Sequence, residues 1–355
     1  MANVNDWSDK DKQSVETYLK WNSYLSEGHK IYYVATPKVA CTTLKWWLAT
    51  LEGYYDALRN TSGSQESDPD LAIHDTFPTV APDIVGLDLP SLSKALSSNE
   101  YFRFAVVRNP YKRLFSAWQS KLLLQEPLQV GPYTSCEFYN YQIKTPADIA
   151  IAFEKFLEHL FTNEAPAYLD HHWAPQVTLL RPDIISYTQL TKIEESEKLS
   201  NALTQWLGGD IPEPFQGRRT NESLIPYTSD VVTERSSELI RTLYAPDFEI
   251  LGYDKSPPES KTTFTAEQFN IAIKAVQLIR GRHQRLGEHN IERVRLKRMC
   301  MEYEQLINLR ENEIQTLLQS RSWRWTKPLR LIEHYTQQMI QQLHGAINRK
   351  RDLDI

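Results

Sequence analysis

Lys38, Thr42 and Thr43 stand in the run TPKVACTTLKWW at 36–47, and Arg108 and Ser116 stand in FRFAVVRNPYKRLFSAW at 102–118. These are side chains that hold phosphate: a mobile ammonium, hydroxyl donors, and a planar guanidinium that grips two oxygens at once. In each run an apolar, β-like stretch (IYYVAT, FRFAVV) passes through a turn into residues with apolar side chains at helical spacing. Pro37 marks the first break, with a helix expected from near Cys41, and Pro110 suits the first turn of the second helix. The first-turn N–H groups of such a helix lack intrahelical partners and carry the positive end of its dipole, which makes a seat for an anion. We read the two turns as halves of one anion site that holds a charged diester or anhydride without needing a metal. The plainer reading of each turn alone is a Thr-capped helix with a solvated Lys38, and a structural Arg at a strand end. The motif G-x-x-x-x-G-K-[ST] does not occur.

The elements that must position these residues imply an α/β fold: a P-loop-NTPase-like central parallel sheet flanked by helices on both faces, with a helical C-terminal extension. The expected boundary lies at SPPES, 256–260, giving domains 1–255 and 256–355. The two parts differ in charge. Residues 280–351 carry 15 Lys and Arg against 7 Asp and Glu, a net of +8 in a chain whose total is −5. Residues 264–320 read as long helix, and Cys300, Ile307 and Ile314 recur every seven positions, with Tyr303 and Leu317 each three residues after one of them. This pattern suits either a short coiled coil, interrupted at Arg310, or a single helix packed back on the domain. NTSGSQESDPD at 60–70 reads as a surface loop. The insertion 125–146 offers Tyr133, Phe138, Tyr139 and Tyr141 either for stacking on sugar rings or as satellite core.

PKVACTT resembles the 5′-phosphosulfate loop of sulfotransferases that use 3′-phosphoadenosine 5′-phosphosulfate (PAPS), and RNPYKRLFSAW resembles their 3′-phosphate motif, an Arg followed by a Ser eight positions later. The likeness is closest to the Golgi-type carbohydrate sulfotransferases that modify chondroitin, dermatan and related glycans. It extends in order along residues 30–255. DHHWAPQVTLLRPDIISYTQLTKIEES at 170–196 resembles that group's His-Trp segment, and LIRTLYAPDFEILGYD at 239–254 its closing Tyr, Asp-Phe and Gly-Tyr signature. The chain departs from the pattern at Leu180 and Asp183, which stand where Golgi members have paired Cys.

The resemblance implies a PAPS-dependent carbohydrate O-sulfotransferase acting on a glycan or surface polysaccharide. It places Pro37, Lys38, Ala40, Cys41, Thr42 and Thr43 around the 5′-phosphosulfate, and Arg108 and Ser116 at the 3′-phosphate. Arg218 and Arg219 in QGRRTNES either add to that grip or form a solvated basic turn. Charge grows on the bridging oxygen as sulfuryl leaves it, and Lys38 is the residue expected to stabilise that charge. A sugar hydroxyl needs a base, and histidine is the natural one. His74, between the two phosphate motifs, and His172, in HHWAP, compete for that role, with a structural histidine as the plainer reading of each; Glu52 and Asp75 are weaker candidates. The His and Cys positions show no metal-ligand spacing, so no metal is expected. The rival classes are a non-catalytic nucleotide- or glycan-binding module and a kinase-like phosphotransferase on the same fold.

Three cysteines, Cys41, Cys136 and Cys300, form no disulfide framework, the N-terminus lacks the apolar core of a signal peptide, and no apolar run approaches the roughly 20 residues needed to span a bilayer. The expectation is a soluble, cytoplasmic, bacterial member, at the inner face of the membrane if its C-terminal element SRSWRWTKPLR, 320–330, carries weight. That element resembles one found after coiled coils in bacterial enzymes that build surface polysaccharides. Its Trp and Arg suit a membrane interface or an assembly partner, although a helix-breaking turn is the plainer reading. The expected partners are a carbohydrate acceptor, no nucleic acid, and a second copy of the chain.

Overall fold

The computed structural model describes residues 8–351 except 62, 63, 65, 67, 128–130, 163–169, 210, 216–222 and 260–264. Arg218 and Arg219 therefore lie outside the described residues. Four strands form one sheet in the order β1 (Ser23–Ser26), β2 (Ile31–Val34), β3 (Phe102–Val107) and β4 (Gln189–Lys192). Strands β2, β3 and β4 run parallel, with Ile31 beside Phe102 and Phe104 beside Gln189. The expected parallel sheet is corrected at one edge: β1 pairs antiparallel with β2, Ser23 facing Val34. A four-residue turn at 27–30 with Lys30 at positive φ is tight enough to fold the chain back as a hairpin.

Side-chain alternation along the strands sends opposite sets of residues to two cores. Tyr33, Phe102, Phe104 and Val106 meet Leu44 and Trp47 of helix α1 (Cys41–Leu51), Ile73 and Phe77 of helix α2 (Ile73–Val80), and Leu199 and Leu203. Tyr32, Val34, Ala105 and Val107 meet Tyr18 and Leu19, Leu92 and Ala95, and Val177 and Leu180. All six residues of β3 are buried, as a strand covered by helices on both faces requires. A third core joins helix α3 (Pro110–Trp118) to α4 (Pro146–Thr162) and α5 (Glu234–Leu243), with Trp173 fully buried among them.

The aromatic insertion belongs to this third core. Tyr133 lies edge-on to Trp173, and Phe138 packs on Phe156, both buried, while Tyr139 and Tyr141 pack half-buried against the same cluster. The sugar-stacking alternative is thereby corrected for Tyr133 and Phe138, whose rings have no face left for a ligand.

The chain divides into two compact units, 1–287 and 288–355, so the first unit runs past the boundary expected at 255. The first turns of a long helix, Ala266–Gln319, belong to it through buried Phe269, Ala272, Ile273 and Val276. Within the second unit Ile307, Ile314 and Leu317 are exposed. Ser320 breaks the helix there: its hydroxyl accepts from the Trp323 N–H and caps the short helix Arg321–Trp325, after which Lys327–Arg351 follows. The Arg330 guanidinium lies 3.7 Å from the Trp323 ring centre. Among the described residues no helix is long and apolar enough to cross a membrane.

Candidate active site

The first turn, 37–40, has an unusual backbone. Lys38 (φ 65°) and Ala40 (φ 53°) both occupy the left-handed region, which side chains with a Cβ rarely enter. The scarcity of glycine is therefore met by strain in non-glycine residues, a condition that persists only where the surroundings impose it. Ala40 is the N-cap of α1 and offers no side-chain cap, so the opening N–H groups of that helix, from Cys41 on, remain available for an anion. Cys41 is a half-buried free thiol, Thr42 is buried and Thr43 is half-buried at the same end.

The surroundings that impose the strain come from α3. Arg113, fully buried, donates from Nε to the Pro37 carbonyl at 3.1 Å, and its two terminal nitrogens reach the carbonyls of Ala174 (2.8 Å) and His171 (3.0 Å). One guanidinium thus fastens the 37–40 turn to the 170–177 segment. Arg108, at the end of β3, donates from Nη1 to the Lys38 carbonyl at 3.2 Å. Its own backbone is gripped by Gln176, whose side chain accepts from the Arg108 N–H and donates to the Arg108 carbonyl, each at 2.9 Å. Buried Asp247 accepts in turn from the N–H groups of Gln176 and Val177 at 2.9 Å. The 170–196 and 239–254 stretches therefore brace the Arg108 turn.

The second turn differs from the first in its cap. Asn109 accepts from the N–H groups of Tyr111 and Lys112, with Pro110 at the first helical position, so α3 is closed by its own sequence and Arg108 supplies a cation just before it. Ser116 is buried on α3 and accepts from the Ser223 hydroxyl at 3.2 Å. Beyond α3 the chain makes one π-helical turn, Gln119–Leu123, a feature that often accompanies functional sites. The turn carries Ser120, whose hydroxyl accepts from Lys38 Nζ at 2.6 Å, and Lys121, which pairs with Glu126 at 2.7 Å in a nearly buried ion pair.

Burial presses the Lys38 ammonium down to about 7, with Lys121 and Arg108 adding to the fall and Cys41 and Glu126 opposing it. The charged form is thus disfavoured there, and a bound anion would restore it. Burial also lowers Arg108 from its ordinary value against the pull of Glu194. Glu66 is lifted to about 7 by burial, with Lys121 and Lys38 acting the other way.

The two candidate histidines sit in different company. His74 bonds through Nε2 to Thr42 Oγ1 and through Nδ1 to Lys45 Nζ, both at 2.9 Å. His172 bonds through Nδ1 to Asp170 Oδ1 at 2.7 Å. Burial and the ammonium of Lys45 drive His74 well below its ordinary value, with Lys121, Lys38 and His172 contributing. Glu52 is removed from the candidates: it pairs with His29 at 2.7 Å at the far end of α1, roughly 16 Å of helix from Cys41. Asp75 is exposed and accepts from the half-buried Ser64 hydroxyl at 2.8 Å. Among the described residues no cluster of three His, Cys, Asp or Glu side chains is placed to hold a metal ion.

Sequence reasoning missed Lys45, Asn109, Arg113, Ser120, Asp170 and Gln176. Two of them carried a signal: Lys45 interrupts the apolar run Leu44–Trp47 and Arg113 the run Tyr111–Phe115, and a charge inside an apolar helical stretch is buried only when paired.

A helix N-terminus left open after a strand is tied to a strand-end arginine, an arrangement suited to an anion. The sulfotransferase family model matches residues 21–254, and the chain belongs to that family. Its relatives are carbohydrate sulfotransferases. It is 25% identical over 243 residues to carbohydrate sulfotransferase 9 of Homo sapiens, covering 65% of this chain and 52% of the relative. It is 25% identical over 247 residues to carbohydrate sulfotransferase 11 of Mus musculus (64% and 66%), and 28% identical over 241 residues to carbohydrate sulfotransferase 14 of Danio rerio (64% and 61%). The chain spans about half to two thirds of the length of these three relatives. No solved structure matches it.

Proposed function

We propose that the protein transfers a sulfuryl group from PAPS to a hydroxyl of a carbohydrate, with a surface polysaccharide or related glycan as acceptor. The observation that carries this reading is the bond from Arg108 to the Lys38 carbonyl, which makes the two anion-binding turns neighbours in one site. A donor with phosphate at both ends of its ribose matches two adjacent cationic turns better than a nucleoside diphosphate does.

In this reading the open N-terminus of α1 with Thr42 and Thr43 holds the 5′-phosphate, in a turn formed by Pro37, Lys38, Ala40 and Cys41. Arg108 and Ser116 hold the 3′-phosphate. The sheet is a variant of the P-loop nucleotide-binding arrangement. As the acceptor oxygen bonds to sulfur, the bond from sulfur to the bridging oxygen breaks and its electron pair stays on the departing adenosine 3′,5′-bisphosphate. Lys38 neutralises that oxygen, and a histidine takes the acceptor proton.

Isothermal titration with adenosine 3′,5′-bisphosphate and with ADP tests the donor. The bisphosphate is expected to bind at least about tenfold tighter, in proportion to one extra charge-assisted contact. Equal affinity for the two overturns the reading. Transfer of labelled sulfate from PAPS onto a panel of polysaccharides then identifies the acceptor.

A further inference from the structure

We propose that His172, steadied by Asp170, is the base that takes the acceptor proton, and that His74 is a positioning residue that turns the Thr42 hydroxyl toward the donor. The inference rests on the sulfuryl-transfer reading above and divides the two histidines between the two substrates.

The two rings carry their protons on different nitrogens. An ammonium has only donors, so the Lys45–His74 contact at 2.9 Å requires His74 Nδ1 to accept. The single proton of the neutral ring is then on Nε2 and is donated to Thr42 Oγ1. Both ring nitrogens are spent, and the lone pair a base would use is covered by Lys45. The arrangement has a use on the donor side: with its oxygen accepting from His74, the Thr42 hydroxyl must send its own hydrogen elsewhere, and Thr42 stands in the first turn of the helix that seats the phosphate. Lys45 is itself held, nearly buried, with Nζ 5.2 Å from the Tyr24 ring centre, so its place beside Nδ1 is fixed by packing.

His172 is arranged the opposite way. The Asp170 carboxylate accepts from Nδ1 at 2.7 Å and also from the His172 backbone N–H at 2.8 Å, which fixes the ring's tautomer and its angle together. The basic lone pair is left on Nε2, which has no hydrogen-bond partner among the described residues. Trp173 packs against the ring at 6.0 Å, and the adjoining backbone is held by Arg113 through the His171 and Ala174 carbonyls. The charged and titratable groups acting on this ring are Asp170 on its own segment, Lys38 from the donor turn, Lys121 from the π-turn and His74 from α2. Burial holds His172 down to about 4 against the Asp170 hydrogen bond, with Lys121 and Lys38 assisting, so the ring is neutral at pH 7. In the transfer the acceptor proton passes to Nε2 as the new oxygen–sulfur bond forms. Asp170 stabilises the imidazolium, and Lys38 takes up the charge on the leaving oxygen.

The test combines kinetics with a readout that needs no turnover. His172→Ala is expected to lower kcat about a hundredfold or more with adenosine 3′,5′-bisphosphate affinity unchanged, and added imidazole to restore part of the loss. Asp170→Asn is expected to lower kcat tenfold or more and to move the acid limb of the pH profile downward, because the carboxylate that raises His172 is gone. His74→Asn and Thr42→Val are each expected to weaken bisphosphate binding about fivefold, with the double variant no worse than either. Nitrogen-15 NMR of histidine-labelled protein is expected to show Nδ1–H at His172 and Nε2–H at His74. The proposal is overturned if His172→Ala keeps kcat within about threefold of the parent, or if His74→Asn loses a hundredfold and regains it with imidazole. It is equally overturned if the two tautomers are reversed. A protein that does not bind the bisphosphate would sink the donor assignment, and the tautomers would then decide the present claim alone.

Discussion

Arg108 Nη1 donates to the main-chain oxygen of Lys38 at 3.2 Å, so the residue that ends the second strand also holds the backbone of the first turn. Its removal should act twice, taking away a phosphate contact and loosening a strained turn. Arg108→Ala is expected to weaken adenosine 3′,5′-bisphosphate binding by about a hundredfold, near two charge-assisted hydrogen bonds. Arg108→Lys should recover little, because a single ammonium cannot serve the carbonyl and a phosphate in the same planar fork. Titration calorimetry reads both, and a Lys variant with parental affinity would refute the double role.

Lys38 is held near 7 by burial and neighbouring cations, whereas a bound phosphate would raise it again. Bisphosphate binding should therefore take up as much as one proton between about pH 7 and 9, and affinity should fall as pH rises through that window. Calorimetry in buffers of different ionisation enthalpy measures the uptake. Lys38→Ala should abolish the uptake and lower kcat by about a hundredfold or more, as expected for losing a group that meets charge formed in the transition state.

Ala40 adopts φ 53° at the helix start, where glycine would be unstrained. Ala40→Gly should stabilise the protein by about 1 kcal/mol, a rise of about 2 °C in Tm by scanning calorimetry. A lower Tm would show that the left-handed turn carries no penalty.

Asp247 is buried and accepts two backbone N–H bonds and the Gln176 side-chain amide. Burial raises its carboxyl despite the bonds that favour the anion. Asp247→Ala should cost about 3 kcal/mol in urea denaturation, because two buried donors at the start of the Gln176–Leu180 helix lose their acceptor. Bisphosphate affinity should fall with it, since Gln176 is what grips the Arg108 backbone.

The strand-to-helix turns were legible because each pairs a local apolar pattern with a cation, and a period of two followed by one near 3.6 survives in a single sequence. Ile31–Val34 and Phe102–Val107 are such runs. The edge strand Ser23–Ser26 was not, because SYLS is short and its pairing depends on a turn at Lys30 rather than on composition. The candidate site's motif residues stood out in the sequence, and the side chains that support them did not. Arg113 reaches three carbonyls and Gln176 makes a pseudo-backbone pair with Arg108, and contacts to main-chain atoms distant in sequence leave no spacing to read. The choice between His74 and His172 was hidden for the same reason: it turns on Lys45 and Asp170, which are ordinary charged residues until their partners are known.

Arg113 clips together main-chain oxygens at positions 37, 171 and 174, and Asp247 must arrive before Gln176 is seated. A growing polypeptide that has emerged only through its first two hundred residues therefore holds Arg113 and its three carbonyls but lacks the Asp247 carboxylate that seats Gln176 against Arg108. The support of the Arg108 turn is thus completed late in synthesis, when nearly all of the first compact unit is free of the ribosome.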